Sequence, residues 1–185
     1  YAATFGRFEN ISMWLSKFPM WNLSRGTKVN GSTALHCAVY FGQNKLETVR
    51  VLLEAGGDFF VRNDGGASVL MNAASNEDSD PVVLGYLLSV FKKQYTKCEL
   101  ITELNYRRRA KTFKWIGIYT VAKTLYLSGL SKSGLFESLA FELGSTGLSS
   151  AVFRGDVEIV RLLLESGADP HIKNDLGVNV FGICE

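Results

Sequence analysis

Two histidines, three cysteines and three prolines are all that the 185 residues contain, and the formal net charge is only +2. Each scarcity closes a class of function. Cys37, Cys98 and Cys184 form no CxxC pair and join no histidine at metal-ligand spacing. Their odd number argues against a disulfide framework, so a reducing compartment is expected. A charge this small points by itself to neither nucleic acid nor a membrane surface. The longest apolar stretch, Trp115 to Leu130, is interrupted by Lys123. It stops short of the roughly 20 residues that a spanning helix needs. No signal peptide is visible, which makes a cytoplasmic location the expectation, with the nucleus as the alternative. The Asn-x-Ser matches at Asn10, Asn22 and Asn30 are therefore read as chance. The first residue is Tyr1 rather than methionine, and a piece of a longer chain is expected.

Residues for catalysis are equally sparse. His36 is the only histidine within a helix pattern, and His171 has no partner nearby in sequence. "GLSKSG" (Gly129 to Gly134) fails the spacing of a phosphate-binding loop and no strand precedes it, so it is read as a turn between helices. Ser89 and Lys92 have the Ser-x-x-Lys spacing of penicillin-recognising enzymes without the companion motifs. The acidic run "NEDSD" (Asn76 to Asp80) lacks the glycine and terminal glutamate of a calcium loop and is read as solvated. No catalytic residue, cofactor or metal is assigned. The chain is expected not to be an enzyme and to take no small-molecule substrate.

What the sequence does contain is ordinary core-forming material, 46% apolar and 21% charged. It is arranged with internal periodicity. "GSTALHCAVYFGQNKLETVRVLLEAGGDFFVRNDG" (Gly31 to Gly65) and "GSTGLSSAVFRGDVEIVRLLLESGADPHIKNDLG" (Gly144 to Gly177) share one spelling. In the second, Thr146 suits an N-cap, and Leu148, Ala151 and Val152 form the stripe of a short helix. Gly155 is placed to end that helix in the left-handed conformation. A second helix carries Val157, Ile159, Val160, Leu162, Leu163 and Leu164, with Glu158, Arg161 and Glu165 facing water. Gly167 ends it, and "HIKNDLG" makes a polar tip. Such a unit has two apolar helical faces and cannot bury both alone. Copies must stack.

The spelling resembles the ankyrin repeat, whose period is about 33 residues. Gly144 to Gly177 keeps that period, and Gly31 to Gly66 is slightly longer, with extra chain in "GQNKLE" between the helices. Only the latter copy has the Thr33–His36 pair that the family buries as a hydrogen-bonding unit. Further copies open at Tyr1, Gly66 and Gly177. The resemblance implies an all-α solenoid of helix-turn-helix repeats with short β-hairpin tips. The expected division is a truncated repeat over 1–30, repeats over 31–65 and 144–176, and the start of another over 177–185. The stretch from Gly66 to Gly144 is two periods long with roughly a dozen residues over. The expectation is a repeat lengthened by insertion over 66–110, in "SNEDSD" and "FKKQYTKCELI". A degenerate helical repeat over 111–143 follows, with helices near Thr112 to Leu127 and Lys132 to Leu143 and its own tip missing.

The family's binding groove is lined by the exposed ends of the first helices and by the tips. Carried over by position, the helix sites are Thr4 and Phe5, Tyr40 and Phe41, and Phe153 and Arg154. The tip sites are Arg62, Asp64, Gly65 and Ala67, then Lys173, Asp175, Leu176 and Val178. Aromatics and arginine suit interface anchoring. "RRRAKTFK" (Arg107 to Lys114) places Arg107 and Arg109 at an inferred tip and suggests an acidic partner; the alternatives are a solvated run or internal pairing with "NEDSD". The implied function is a non-catalytic scaffold or targeting segment for another protein, with nucleic acid disfavoured. Two other readings are regulation in cis of an attached enzyme or channel, and binding of an acidic lipid or nucleic-acid surface through Arg107 to Lys114.

Overall fold

The structure, a computed structural model, describes residues 2–42, 44–76, 80–130 and 133–184. The centre of the acidic run expected between two helices, Glu77 to Ser79, lies outside them, as does Lys132.

Eleven helices are present among the described residues. The first six are α1 (Phe8–Lys17), α2 (Ala34–Phe41), α3 (Lys45–Glu54), α4 (Val69–Ser75), α5 (Pro81–Gln94) and α6 (Lys97–Leu104). There follow α7 (Phe113–Leu127), α8 (Gly134–Glu142), α9 (Gly147–Arg154), α10 (Val157–Glu165) and α11 (Val180–Ile183). The same device starts each inner helix. Thr33, Ser68, Thr146 and Asn179 stand extended before α2, α4, α9 and α11, each accepting with its side chain from a backbone N–H three residues on. Gly155 ends α9 at φ 76. This is the left-handed stop expected of it.

Stacking follows from the apolar stripes. Helices α2, α4, α9 and α11 pack in an inner row, and α1, α3, α5 and α10 in an outer one. One core runs the length of both rows, from Ala3 and Ile11 through Leu35, Val49, Leu84 and Leu88 to Leu148, Ile159, Leu163 and Val180. This is the all-α solenoid. The tips carry no strand among the described residues. Each is a hydrogen-bonded turn that exchanges single bonds with its neighbour, as from Asp64 N to Asn30 O at 2.9 Å. That is too few for a ladder.

The repeat that begins at Gly66 is lengthened in α5 and by the addition of α6. The last turns of α5 carry Phe91, and Tyr95 follows it, against Phe59 and Phe60. Ring centroids lie 5.2 Å (Phe59–Phe91) and 5.1 Å (Phe60–Tyr95) apart, within the range of favourable edge-on contact.

The segment expected as a stacked repeat over 111–143 is not in the stack. Helix α9 packs directly on α4, and α10 on α5, leaving no room between them. None of residues 109–143 belongs to the continuous core. The hydrogen bonds show where the segment goes. A complete tip closes from Asn63 N to Ala67 O and from Gly66 N to Asn63 O, at 3.1 and 3.0 Å. The tip before Gly144 closes in the same way, from Arg108 N to Ser145 O and from Gly144 N to Arg108 O, at 2.8 and 3.1 Å. Between the closing residues one tip has Asp64 and Gly65; the other has the whole of 109–143. The insertion therefore sits inside a turn, and α7 packs on α8 as an antiparallel helical hairpin. Its length, nearly one repeat period, imitates a repeat in the sequence.

His36 shows how a capping device becomes part of the core. Its Nδ1 accepts from the Thr33 N–H at 3.3 Å and lies 2.8 Å from the Thr33 hydroxyl, while Nε2 donates to Ala67 O at 3.2 Å. Only the neutral ring can do both. Burial lowers its pKa from 6.5 to about 4. A depressed pKa means that the native state binds fewer protons between those values, so stability rises with pH through that window. The contribution is fully present above about pH 6.5 and lost as pH falls to about 4, on the order of 3 kcal/mol in all. Urea melts at pH 7 and pH 5 should show this slope in the native chain and not in His36→Gln; equal slopes would count against it.

Candidate protein-interaction surface

Each inner-row helix starts directly after a tip, and the side that α2 shares with Asn30 and Gly65 of two tips is the side of the expected groove. The inserted hairpin lies across it. Lys111 donates its backbone N–H to Asp64 O at 2.8 Å and its ammonium to Arg62 O at 3.2 Å. Tyr119, buried, reaches Gly65 O at 3.5 Å, and burial raises its pKa against the pull of the Arg108 charge. On the other side the Lys123 ammonium donates to Asp175 O at 2.8 Å. Phe141 stacks on Phe153 with centroids 4.5 Å apart, and Asn174 donates to Phe141 O at 3.2 Å. The insertion's two ends are stapled by Arg108 and Glu142, paired at 2.5 Å.

This leaves two clefts, one on each flank of the hairpin. The first, about 250 Å³, lies between Tyr40, Phe41, Asn72 and Ser75 on the inner row and Trp115, Tyr119 and Leu139 on the hairpin. The second, about 460 Å³, is bounded by Phe153, Arg154, Leu176 and Val178 on the stack and Tyr126 and Glu137 on the hairpin. A third cavity, about 500 Å³ and mostly apolar, opens at the N-terminal end between α1 and α2, away from the inserted hairpin. It includes Cys37, whose thiol pKa burial pushes up.

The residues singled out in the sequence separate into three groups. Tyr40, Phe41, Gly65 and Ala67 line the first cleft, and Phe153, Arg154, Leu176 and Val178 the second. Most of the others hold the stack together. Arg62 pairs with buried Glu103 and lies over the Tyr106 ring at 4.3 Å. Asp175 receives Arg107 at 2.6 Å and Arg109 at 2.7 Å, so two of the three consecutive arginines are clamped to the next tip and Arg108 to Glu142. The pairing is internal, with carboxylates other than those of "NEDSD". Asp64 lends its backbone to both neighbouring tips. Phe5 and Lys173 are exposed and line neither cleft. Trp115, Tyr119, Tyr126, Glu137 and Leu139 were not singled out. The signal for them is that Gly144 follows Leu143 with no tip of its own between.

Among family models, one described as ankyrin repeats, in three copies, matches residues 1–97, and a single ankyrin repeat matches residues 143–175. The chain belongs to the ankyrin repeat family. The two matches leave residues 98–142 outside, which takes in all of α7 and the whole inserted excursion except its last residue. No curated protein matches the chain. Ankyrin repeats are in general protein–protein interaction modules, and no helix among the described residues is long and apolar enough to cross a membrane.

Proposed function

We propose that this ankyrin segment is a non-catalytic scaffold or targeting module that holds a partner protein on its concave side, in the two clefts flanking the inserted hairpin. The observation that supports this reading is that aromatic ends of the inner-row helices, Tyr40 with Phe41 and Phe153 beside Arg154, open into those clefts. They stand on helices fixed by the core, so a partner meets a preformed surface and little ordering entropy is lost on binding. The hairpin splits the groove, which selects for a partner that enters as two separate contacts rather than one continuous strip. An acidic surface gains no support from Arg107 to Arg109, because their guanidinium groups already face Asp175 and Glu142.

The test is affinity capture with the native chain, with Tyr40→Ala/Phe41→Ala and with Phe153→Ala/Arg154→Ala. A true partner should be lost from one pair or both, with capture falling by about 30-fold, the equivalent of an anchor of about 2 kcal/mol. Identical captured sets in all three would remove the concave side from consideration.

A further inference from the structure

The inserted hairpin turns one face to the groove and another to solvent. Helix α7 is apolar on both. Towards the groove it buries Tyr119 and Ala122. The opposite arc, Phe113, Ile116, Gly117, Thr120, Val121, Thr124 and Leu127, recurs at helical spacing. It is exposed throughout and carries no charge. Both threonine hydroxyls are spent inside the helix, Thr120 on Ile116 O at 2.8 Å and Thr124 on Thr120 O at 2.9 Å. The threonines therefore need no outside hydrogen-bond partner. Phe113 is 93% exposed, and Leu130 and Leu135 at the hairpin's far end are 79% and 64% exposed.

We propose that this outer face of α7 docks against the same face of a second copy of the chain, the two helices running antiparallel about Thr120. Three observations carry it. Four of the other six arc residues are placed symmetrically about that residue: Phe113 and Leu127 stand seven positions to either side, and Ile116 and Thr124 four. An antiparallel mate therefore sets Phe113 over Leu127 and Ile116 over the smaller Thr124, while Val121 and Gly117, whose mirror positions Tyr119 and Lys123 lie off the arc, flank that seam. At Gly117 a β-carbon would meet nothing within 4 Å, so the helix surface is dented next to that centre. Two backbones can approach closely there. The area also suits a dimer. Phe113, Ile116, Val121 and Leu127 on α7, with Leu130 and Leu135 at the hairpin's far end, are all exposed. Six such side chains approach what one partner buries in a standard interface, about 800 Å². A lipid surface fits less well, because two of the three lysines beside the arc that would meet headgroups, Lys111 and Lys123, are bound to the carbonyls of Arg62 and Asp175.

The experiment is sedimentation equilibrium of the native chain from about 1 to about 200 µM. A monomer–dimer equilibrium is expected, and Val121→Lys should weaken it about 30-fold or more by burying an unpaired ammonium at the contact. Its melting temperature, read at a dilution where the native chain is monomeric, should stay unchanged, since Val121 faces outward. Register is read separately. Thr120→Cys, in a Cys98→Ser, Cys184→Ser background, should crosslink to its own copy on mild oxidation, whereas Lys97→Cys in the same background should not. A native chain that stays monomeric over the whole range overturns the proposal. So does an arc that instead carries the chain onto phosphatidylcholine–phosphatidylserine vesicles in a Val121-dependent way with no dimer in solution.

Discussion

Replacing Arg62 with methionine should cost about 3–5 kcal/mol, a large share of the stability of a domain this size. The loss does not come from the strength of the Arg62–Glu103 pair. Glu103 is 3% exposed, its second carboxylate oxygen has no hydrogen-bond partner, and burial already raises its pKa against the opposing pull of Arg62. Without the guanidinium an uncompensated charge stays inside the stack. Two controls separate this from lost packing over Tyr106. In Arg62→Met with Glu103→Leu most of the loss should be recovered, because a buried pair and well-packed apolar replacements are nearly equal in energy. The single variant should also regain stability relative to the native chain as pH falls. A raised carboxylate pKa means that the native state binds more protons than the unfolded one, so stability drops as pH rises above the ordinary carboxylate range and returns as pH falls into it. Urea denaturation of the three proteins at pH 7 and pH 5 checks both. Additive losses in the double variant would place the effect in packing.

What could be read from the sequence follows from how local each signal is. Helices α2, α3, α9 and α10 announce themselves within a single unit, through a hydroxyl cap, an apolar stripe and a glycine break. The clamp of Arg107 and Arg109 on Asp175 does not, because its two sides lie 68 and 66 residues apart in sequence. Three adjacent arginines look like free charge until the stack brings their carboxylates. The insertion hid for a different reason. Its helices are visible as helices, but α7 is apolar on two opposite faces, so its pattern gives no direction for the stack. The extra chain also nearly equals one period, and counting residues cannot tell a repeat placed in line from a loop that leaves a turn and returns. The hydrogen bonds of Arg108 to both Gly144 and Ser145 decide it. The cleft residues contributed by that hairpin were out of reach for the same reason.

The insertion's place over the neighbouring tip can be tested through two glycines of one type. Gly66 and Gly177 hold equivalent tip positions with nearly equal φ, 82 and 80 degrees. Either replaced by alanine meets the left-handed strain that an L-residue carries there, about 1–2 kcal/mol. Their surroundings differ. A β-carbon at Gly177 would meet nothing within 4 Å, whereas at Gly66 it would stand 2.7 Å from the Arg109 nitrogen and closer still to its carbonyl oxygen. That neighbour is backbone at the first residue of the insertion, held by the Arg108 closure behind it and by Lys111 on Asp64 ahead, so it cannot swing aside. Gly66→Ala should therefore lose a further amount of about 2 kcal/mol from overpacking, on the order of 4 kcal/mol in total, while Gly177→Ala stops near the strain alone. Chemical denaturation of the pair reads the difference directly. If both variants lose the same amount, Arg109 is not seated on Gly66, and the inserted hairpin does not lie across the groove.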